Sequence, residues 1–290
     1  MPIYISNGNS VNPLSFIYFY FSKEIVGKTN LISSEKTQYF PNGKTLVTNE
    51  NYEYNPMDYL KKSSSISSDN ILNETHYKYG PEMNPFLVGK NIVSIPLQTE
   101  TKKNGKTISK TETLYPISQF DADTKTSGFT LPLKINATDF LLTSSTEVTY
   151  DNYDTKGNLQ QYTTKDGIST TIIWGYNKTQ PIAKIVGSDL DAVANSLVSS
   201  IVDASDLDAA NPSAEAALII ALDNFRKNSS LSSFQITTYT YDPSVGVTSI
   251  TAPSGIREVY LYDFSGRLKE IREDSAAGKI LREYKYNYKL

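Results

Sequence analysis

Cysteine is absent from this 290-residue chain, and histidine and tryptophan occur once each. Without cysteine there are no disulfides, no thiolate nucleophiles and no cysteine-based metal sites. Because His76 is the one histidine, a multi-histidine metal site is excluded, and a Ser–His–Asp triad would have to use His76. A lone histidine on a strand is usually a plain surface residue. We therefore predict no catalytic residue, no bound cofactor and a non-enzymatic role.

A basic surface and a long apolar run are also missing. The chain has 28 Lys and Arg against 31 Asp and Glu, a formal net charge of -3, so nucleic acid is not an expected partner. The apolar run at residues 14–21 is too short to span a bilayer and lacks the flanking features of a signal peptide. We predict that this run is a buried strand, that the chain has no membrane span, and that it is a piece of something longer.

Tyrosine, by contrast, occurs 21 times. Tyrosine and threonine suit half-buried pleated surfaces, so the composition favours β-structure with one solvated face. Tyrosines often lie two residues apart, a spacing that places both rings on one face of a strand, ready to pack against the pair on the next strand. We favour a structural role for these pairs over an aromatic platform for sugars or peptides. The pairs are Tyr52/Tyr54, Tyr77/Tyr79, Tyr239/Tyr241, Tyr260/Tyr262 and Tyr284/Tyr286/Tyr288.

Three hairpins are predicted in the first 115 residues. Pro41-Asn42-Gly43-Lys44 joins residues 35–40 to 45–54, Ser67-Ser68-Asp69-Asn70 joins 60–66 to 71–79, and Lys103-Asn104-Gly105-Lys106 joins 97–102 to 107–114. Asn-Gly between alternating residues is a strong hairpin signal, because both central positions of a type I′ turn need positive φ. The pattern predicts a meander of antiparallel hairpins, with Gly43, Gly105 and Gly266 in turns.

The composition changes between residues 188 and 228, where alanine becomes frequent and an amphipathic period indicates helix. Ser188 is the expected N-cap of the first helix, and Asn211-Pro212 the expected start of the second. We predict a helical hairpin that packs its apolar stripe on the sheet, turns its acidic face to water and is the one substantial helical element. The acidic run 203–208 is expected to be a solvated turn between the helices, since it lacks the glycine and closing glutamate of an EF-hand loop.

One motif recurs in the second half of the chain. Residues 260–268 read Y-L-Y-D-F-S-G-R-L, residues 153–159 give an earlier copy with Asn158 in place of arginine, and 239–243 give a front half only. Aspartate can bond its own backbone two residues on, and glycine supplies a positive φ, so the motif encodes a strand, a tight turn and a returning strand. The motif residues, for which we predict a structural role, are Tyr153, Asp154, Gly157, Tyr260, Tyr262, Asp263, Gly266, Arg267 and Leu268.

These residues resemble the YD repeat, Y-x-Y-D-x-x-G-R-L, of the bacterial Rhs/YD-repeat family. The resemblance implies a mainly β fold of hairpin repeats and an extracellular or cell-surface location. In longer relatives the sheet closes into a hollow shell around a C-terminal toxin, but this chain has too few repeats to close one. We expect an N-terminal hairpin-rich region over 1–145 and a YD-repeat-like region over 146–290 that carries the helical insert.

The function expected from the resemblance is that of a structural or interaction segment of a toxin-associated scaffold. Its partners would be neighbouring repeats or a separate polypeptide. A carbohydrate-binding or adhesive module is the alternative, in which Trp174 and Tyr176 would stack on a ligand, although apolar neighbours favour Trp174 as a core residue. A glycosidase is less favoured, because Glu270, Glu273 and Asp274 alternate with basic residues on what should be an exposed face.

Overall fold

The computed structural model of the chain describes residues 29–41 and 43–286. These residues form one 16-stranded sheet in which each strand pairs with the next in sequence, and all the pairs are antiparallel. The predicted mainly β meander of hairpins is confirmed. The predicted strand at 14–21, Asn42 and Tyr288 lie outside the described residues. The strands are β1 (Ser33–Tyr39), β2 (Thr45–Tyr54), β3 (Leu60–Ile66), β4 (Leu72–Lys78), β5 (Gln98–Lys103), β6 (Lys106–Leu114), β7 (Lys134–Thr138), β8 (Ser144–Tyr153), β9 (Leu159–Thr164), β10 (Ser169–Gly175), β11 (Gln180–Val186), β12 (Gln235–Asp242), β13 (Gly246–Thr251), β14 (Arg257–Tyr262), β15 (Leu268–Glu273) and β16 (Ile280–Glu283).

The meander gives the sheet two ends. The connections that follow even-numbered strands lie at one end, which we call the motif end because the predicted YD turns after β8, β12 and β14 are there. The connections that follow odd-numbered strands lie at the opposite end. The predicted boundary at residues 145/146 falls inside β8, which pairs with β7 on one side and β9 on the other. The division into two regions stays a prediction.

Helices occupy the longer connections. The short helices α1 (Gly80–Met83), α2 (Pro85–Gly89) and α3 (Gln119–Lys125) lie in connections at the motif end. The insert between β11 and β12 contains α4 (Asn195–Ala210) and α5 (Glu215–Arg226). In the described part of the chain, these two are the helices longer than the 7 residues of α3. The insert is therefore the substantial helical element, as predicted.

Two details of the insert differ from the sequence prediction, and a third agrees with it. Ser188 is not an N-cap, because a 3-10 turn follows it and α4 begins only at Asn195. Ser188 is buried instead, and its carbonyl accepts a hydrogen bond from the Thr171 hydroxyl at 2.9 Å. The acidic run 203–208 is not a turn between helices, because it lies wholly within α4. Asn211 is a cap as predicted, since its side chain accepts from the Ser213 amide at the 3-10 turn that leads into α5.

The main core lies between this insert and one face of β10 to β13. Paired residues on that face are buried together, as in Thr171 with Ile185 and Ala183 with Thr238. Because side chains alternate along a strand, the residues between them point to the other, partly exposed face. The predicted packing of the insert's apolar stripe on the sheet is confirmed by one buried cluster that joins the two, with Ile173, Ile182, Ile185 and Ile236 from the strands and Ile201, Leu218, Leu222 and Phe225 from the helices.

The three predicted N-terminal hairpins are present, but their turns are of two kinds. Asn104 and Gly105 have φ values of 47° and 77°, as a type I′ turn requires. The other two turns are five residues long with a left-handed fourth residue, Gly43 at φ 74° and Asn70 at φ 57°. A type I′ turn is excluded at the first of these because the proline ring of Pro41 holds φ negative.

Candidate functional site in the repeated turns

The strongest copy of the motif forms a closed five-residue turn at 263–267. The Asp263 amide donates to the Arg267 carbonyl at 2.8 Å, and the Gly266 amide donates to the Asp263 carbonyl at 2.9 Å. Oδ1 of Asp263 accepts the amides of Ser265 and Arg267, and Oδ2 accepts Nε of Arg267 at 2.8 Å. The bonds from Arg267 hold the pKa of Asp263 below its ordinary value. Gly266 takes the left-handed position at φ 71°.

The earlier copy at 154–158 has the same backbone geometry. Oδ1 of Asp154 accepts the amides of Lys156 and Asn158, and Gly157 has φ 84°. Asn158 replaces the arginine as the side-chain donor to Oδ2 of the motif aspartate. Its Nδ2 donates to Oδ2 of Asp154 at 3.1 Å and to the Lys178 carbonyl at 2.9 Å. Burial would raise the pKa of Asp154, but the hydrogen bonds from Asn158 and Lys156 hold it below its ordinary value.

The same five-residue turn also forms at places where the sequence does not match the motif. Six further five-residue turns are closed by the same two backbone bonds, and each has a residue with positive φ at its fourth position. Asn55 and Asp139 even repeat the side-chain bonds of the motif aspartate. Sequence reasoning predicted two of these six turns, 40–44 and 67–71, and missed the other four, although two of those four have glycine at the fourth position. The further turns are 40–44, 55–59, 67–71, 139–143, 164–168 and 252–256.

The motif tyrosines do not form the predicted ladder of stacked rings. Instead, at six of the eight even-numbered strands, a tyrosine at the end of the strand or just after it donates its hydroxyl to a backbone carbonyl of the preceding strand or of the residues that lead into it. We call this contact the tyrosine clasp. Tyr262 donates to the Val247 carbonyl at 2.8 Å, and Tyr153 donates to the Pro132 carbonyl at 2.8 Å. Tyr260 is different, since its hydroxyl donates to Glu258, and burial, with that bond, raises its pKa to about 12. Further clasps are Tyr54 to Leu31, Tyr79 to Leu60, Tyr241 to Pro181 and Tyr286 to Leu268.

The clasps link one repeat to the next through the last residue of the motif, which is Leu268 in the copy at 260–268. The carbonyl of Leu268, the residue after the 263–267 turn, accepts the hydroxyl of Tyr286 at 2.9 Å, and Tyr286 follows the next strand, β16. The Arg267 guanidinium also lies over the Tyr286 ring, 4.9 Å from its centroid. The same arrangement recurs earlier, where Leu60 accepts from Tyr79, and the ring of Tyr59 lies 5.3 Å from that of Tyr79. The motif therefore encodes both a turn and its attachment to the following hairpin.

Trp174 and Tyr176, the candidate ligand-stacking residues, are engaged inside the protein. Nε1 of Trp174 donates to the Leu159 carbonyl at 2.8 Å, so the indole replaces tyrosine as the clasp of β10. Tyr176 is only 2% exposed, which removes its ring from any ligand surface and corrects the stacking hypothesis. Its hydroxyl donates to Oδ2 of Asp208 at 2.8 Å and accepts the Tyr241 amide at 2.8 Å. Burial raises the pKa of Tyr176 above its ordinary value.

The insert does not turn all of its acidic residues to water, which corrects another expectation. Asp208 is buried at the end of α4, where burial raises the pKa of its carboxyl group and Glu215 and Asp242 raise it further. Oε1 of Glu215 accepts the hydroxyls of Thr240 and Thr248. Asp223 forms an ion pair with Arg257 of β14 at 2.6 Å. The acidic side chains therefore help to seat the insert on the sheet.

The remaining candidates do not gather into a reactive centre. His76 pairs in register with Lys62 and Glu100, and its Nε2 lies 3.8 Å from Glu74. Glu270 is 7% exposed, which corrects the expectation of an exposed face, and it forms an ion pair with Arg272. Within residues 29–41 and 43–286, no three His, Asp or Glu side chains are grouped to hold a metal ion. Across the same residues, no helix has the length and apolarity to cross a membrane.

The comparisons with known proteins give loose likenesses of fold. No protein-family profile and no curated protein matches the chain. The crystal structure of TcdB2-TccC3 without its hypervariable C-terminal region covers 87% of this chain at 12% identity and a TM-score of 0.43. The TcdB2-TccC3-Cdc42 structure covers 87% at 11% identity, also at 0.43. This chain spans only 12% of either of those chains. A porin-like protein from Bacteroides uniformis matches 85% of this chain at 16% identity and a TM-score of 0.22.

Proposed function

We propose that the chain is a non-catalytic structural segment of an exported or surface-displayed, toxin-associated protein of the YD-repeat type. Its partners are neighbouring repeats, in the same polypeptide or a separate one. The observation that carries this proposal is the clasp, which occurs at seven of the eight even-numbered strands and attaches each of those seven to the strand before it. A tyrosine that bonds the preceding strand helps to extend a sheet, and the motif tyrosines Tyr153 and Tyr262 both make this bond.

The proposal predicts how a local defect spreads. In a repeat protein each unit contacts only its neighbours, so loss of one clasp weakens the adjacent hairpins and leaves distant ones unchanged. Tyr153→Phe removes the hydroxyl that bonds the Pro132 carbonyl while keeping the ring. Hydrogen exchange followed by mass spectrometry should show faster exchange in β7 to β9 and unchanged exchange in β1 to β4. Equal loss of protection throughout the sheet would contradict a repeat scaffold.

A glycan array distinguishes the scaffold proposal from the carbohydrate-binding or adhesive alternative. A scaffold segment gives flat binding across the array for the natural protein and for Trp174→Phe, which lacks the clasp donor of β10. Selective glycan binding that the natural protein shows and Trp174→Phe loses would favour the carbohydrate-binding module instead. Thermal unfolding of both proteins serves as the control that the variant remains folded.

A further inference from the structure

The turn at 139–143 differs chemically from the other seven five-residue turns. Its tip consists of Phe140, Leu141 and Leu142, which are 66%, 70% and 68% exposed. We call these three residues the apolar tip. Single exposed apolar residues are ordinary on protein surfaces, but three in succession at a turn are not. The tip is also well built, because Oδ1 of Asp139 accepts two amides of the turn, and the Thr138 and Ser144 hydroxyls bond beneath it at 2.8 Å.

Leu142 occupies the left-handed position of this turn, with φ 62°. The other seven turns have Gly, Asn or Asp there, and these residues adopt that conformation with little strain. Tyr176 is another bulky residue with positive φ, at 51°, but its burial and hydrogen bonds compensate for it. Leu142 has no such compensation within the described part of the chain, since its side chain faces solvent. Strain without a folding benefit among the described residues indicates that the leucine side chain serves a contact beyond them.

The neighbouring hairpin presents positive charge beside the apolar tip. Lys103 and Lys106 are exposed and lie directly opposite each other at the end of β5 and β6. Like charges so placed repel, and neither lysine has an ion-pair partner among the described residues. The β6–β7 register pairs Lys110 with Thr138, and the connections after β5 and β7 lie at the same end of the sheet, so the lysine pair lies on the hairpin next to the apolar tip. On the tip's own hairpin, Glu147 is already paired with Lys165 at 2.7 Å.

We propose that the apolar tip and the pair Lys103/Lys106 form a docking surface for an anionic lipid bilayer. Apolar side chains that enter the interface and lysines that meet acidic headgroups are the two contributions by which a surface-bound protein holds to such a membrane. The exposed, strained apolar turn and the exposed lysine pair lie on adjacent hairpins at one end of the sheet, so a bilayer can meet both, the apolar side chains at its interface and the lysines at its acidic headgroups.

Vesicle flotation of the full chain tests the proposal. The natural protein should bind phosphatidylcholine vesicles that contain phosphatidylserine, and bind much less to phosphatidylcholine alone or at high salt. Phe140→Ser should lower the partition coefficient roughly tenfold, and Lys106→Glu at least fivefold. The matched control is Phe264→Ser, because Phe264 is 99% exposed at the same turn position but at the motif end. It should bind as the natural protein does.

Leu142→Gly separates binding from folding. Glycine relieves the left-handed strain, so this variant should unfold at the same or a higher denaturant concentration and yet bind vesicles several-fold more weakly. Absence of binding to phosphatidylserine vesicles, or equal losses in Phe140→Ser and Phe264→Ser, would overturn the proposal. Concentration-dependent dimers in sedimentation that Phe140→Ser abolishes would overturn it too, and would assign the tip to contact between copies.

Discussion

The clasp of Tyr262 provides the sharpest test of how the motif holds the sheet together. Tyr262→Phe removes one hydroxyl and keeps the ring, so the packing of β14 on β13 is retained. The lost interaction is a neutral hydrogen bond of 2.8 Å to the Val247 carbonyl. Burial raises the pKa of Tyr262, so at neutral pH the hydroxyl is fully protonated and able to donate.

Such a bond contributes about 1 kcal/mol net, because folding exchanges a bond to water for a bond within the protein. We expect Tyr262→Phe to lower the free energy of unfolding by that amount and Tm by about 2 °C in a chain of this size. Tyr153→Phe should cost a similar amount. The two sites lie on β14 and β8, far enough apart for the double variant to lose about 2 kcal/mol.

Urea unfolding followed by circular dichroism measures these differences, and Tyr239→Phe is the control. Tyr239 lies two residues before the clasp of β12, just as Tyr260 lies two before that of β14, and its hydroxyl has no hydrogen bond in the described part of the chain. Its replacement should change stability by less than about 0.5 kcal/mol. If Tyr262→Phe and Tyr239→Phe were equally stable, the clasp would not be what stabilises the repeats.

Three further predictions concern charge and pH. Asp154→Ala should cost about 1 to 2 kcal/mol in urea unfolding at pH 7, because two turn amides lose their acceptor. Since the folded pKa of Asp154 is lowered, this contribution is present at pH 7 and is lost as pH falls through that folded value, so the difference should shrink in acid. Asp208→Asn should raise the free energy of unfolding at pH 7 and have less effect near pH 4. The folded pKa of Asp208 is raised, so the stability that its protonated carboxyl group allows is lost as pH rises through that folded value. Unchanged stability of the variant at pH 7 would contradict this. Burial raises the pKa values of Tyr241 and Tyr260 to about 12, so circular dichroism should show stability that persists at pH 10 and falls as pH rises towards 12.

Local chemistry by itself determined the β-strand character, the three N-terminal hairpins, the motif turns and the presence of a helical insert. Tyrosine and threonine at alternate positions favour pleated strands, and glycine or asparagine at a fixed offset permits positive φ, so both can be read from neighbouring residues. The turn at 263–267 could be predicted from the motif because Asp263, Gly266 and Arg267 interact within five residues of one another.

Tertiary structure decided everything that depends on contacts between distant residues. No local pattern could reveal that Tyr286 bonds the Leu268 carbonyl or that Tyr176 bonds Asp208, 32 residues away, because those partners are set by sheet register and by the path of α4 across the sheet. For the same reason, the sequence predicted that the tyrosine pairs pack through their rings, whereas one tyrosine of each pair makes a clasp through its hydroxyl group. The placement of the Lys103/Lys106 hairpin next to the hairpin of the apolar tip likewise follows from the pairing of β6 with β7, which only the folded sheet fixes.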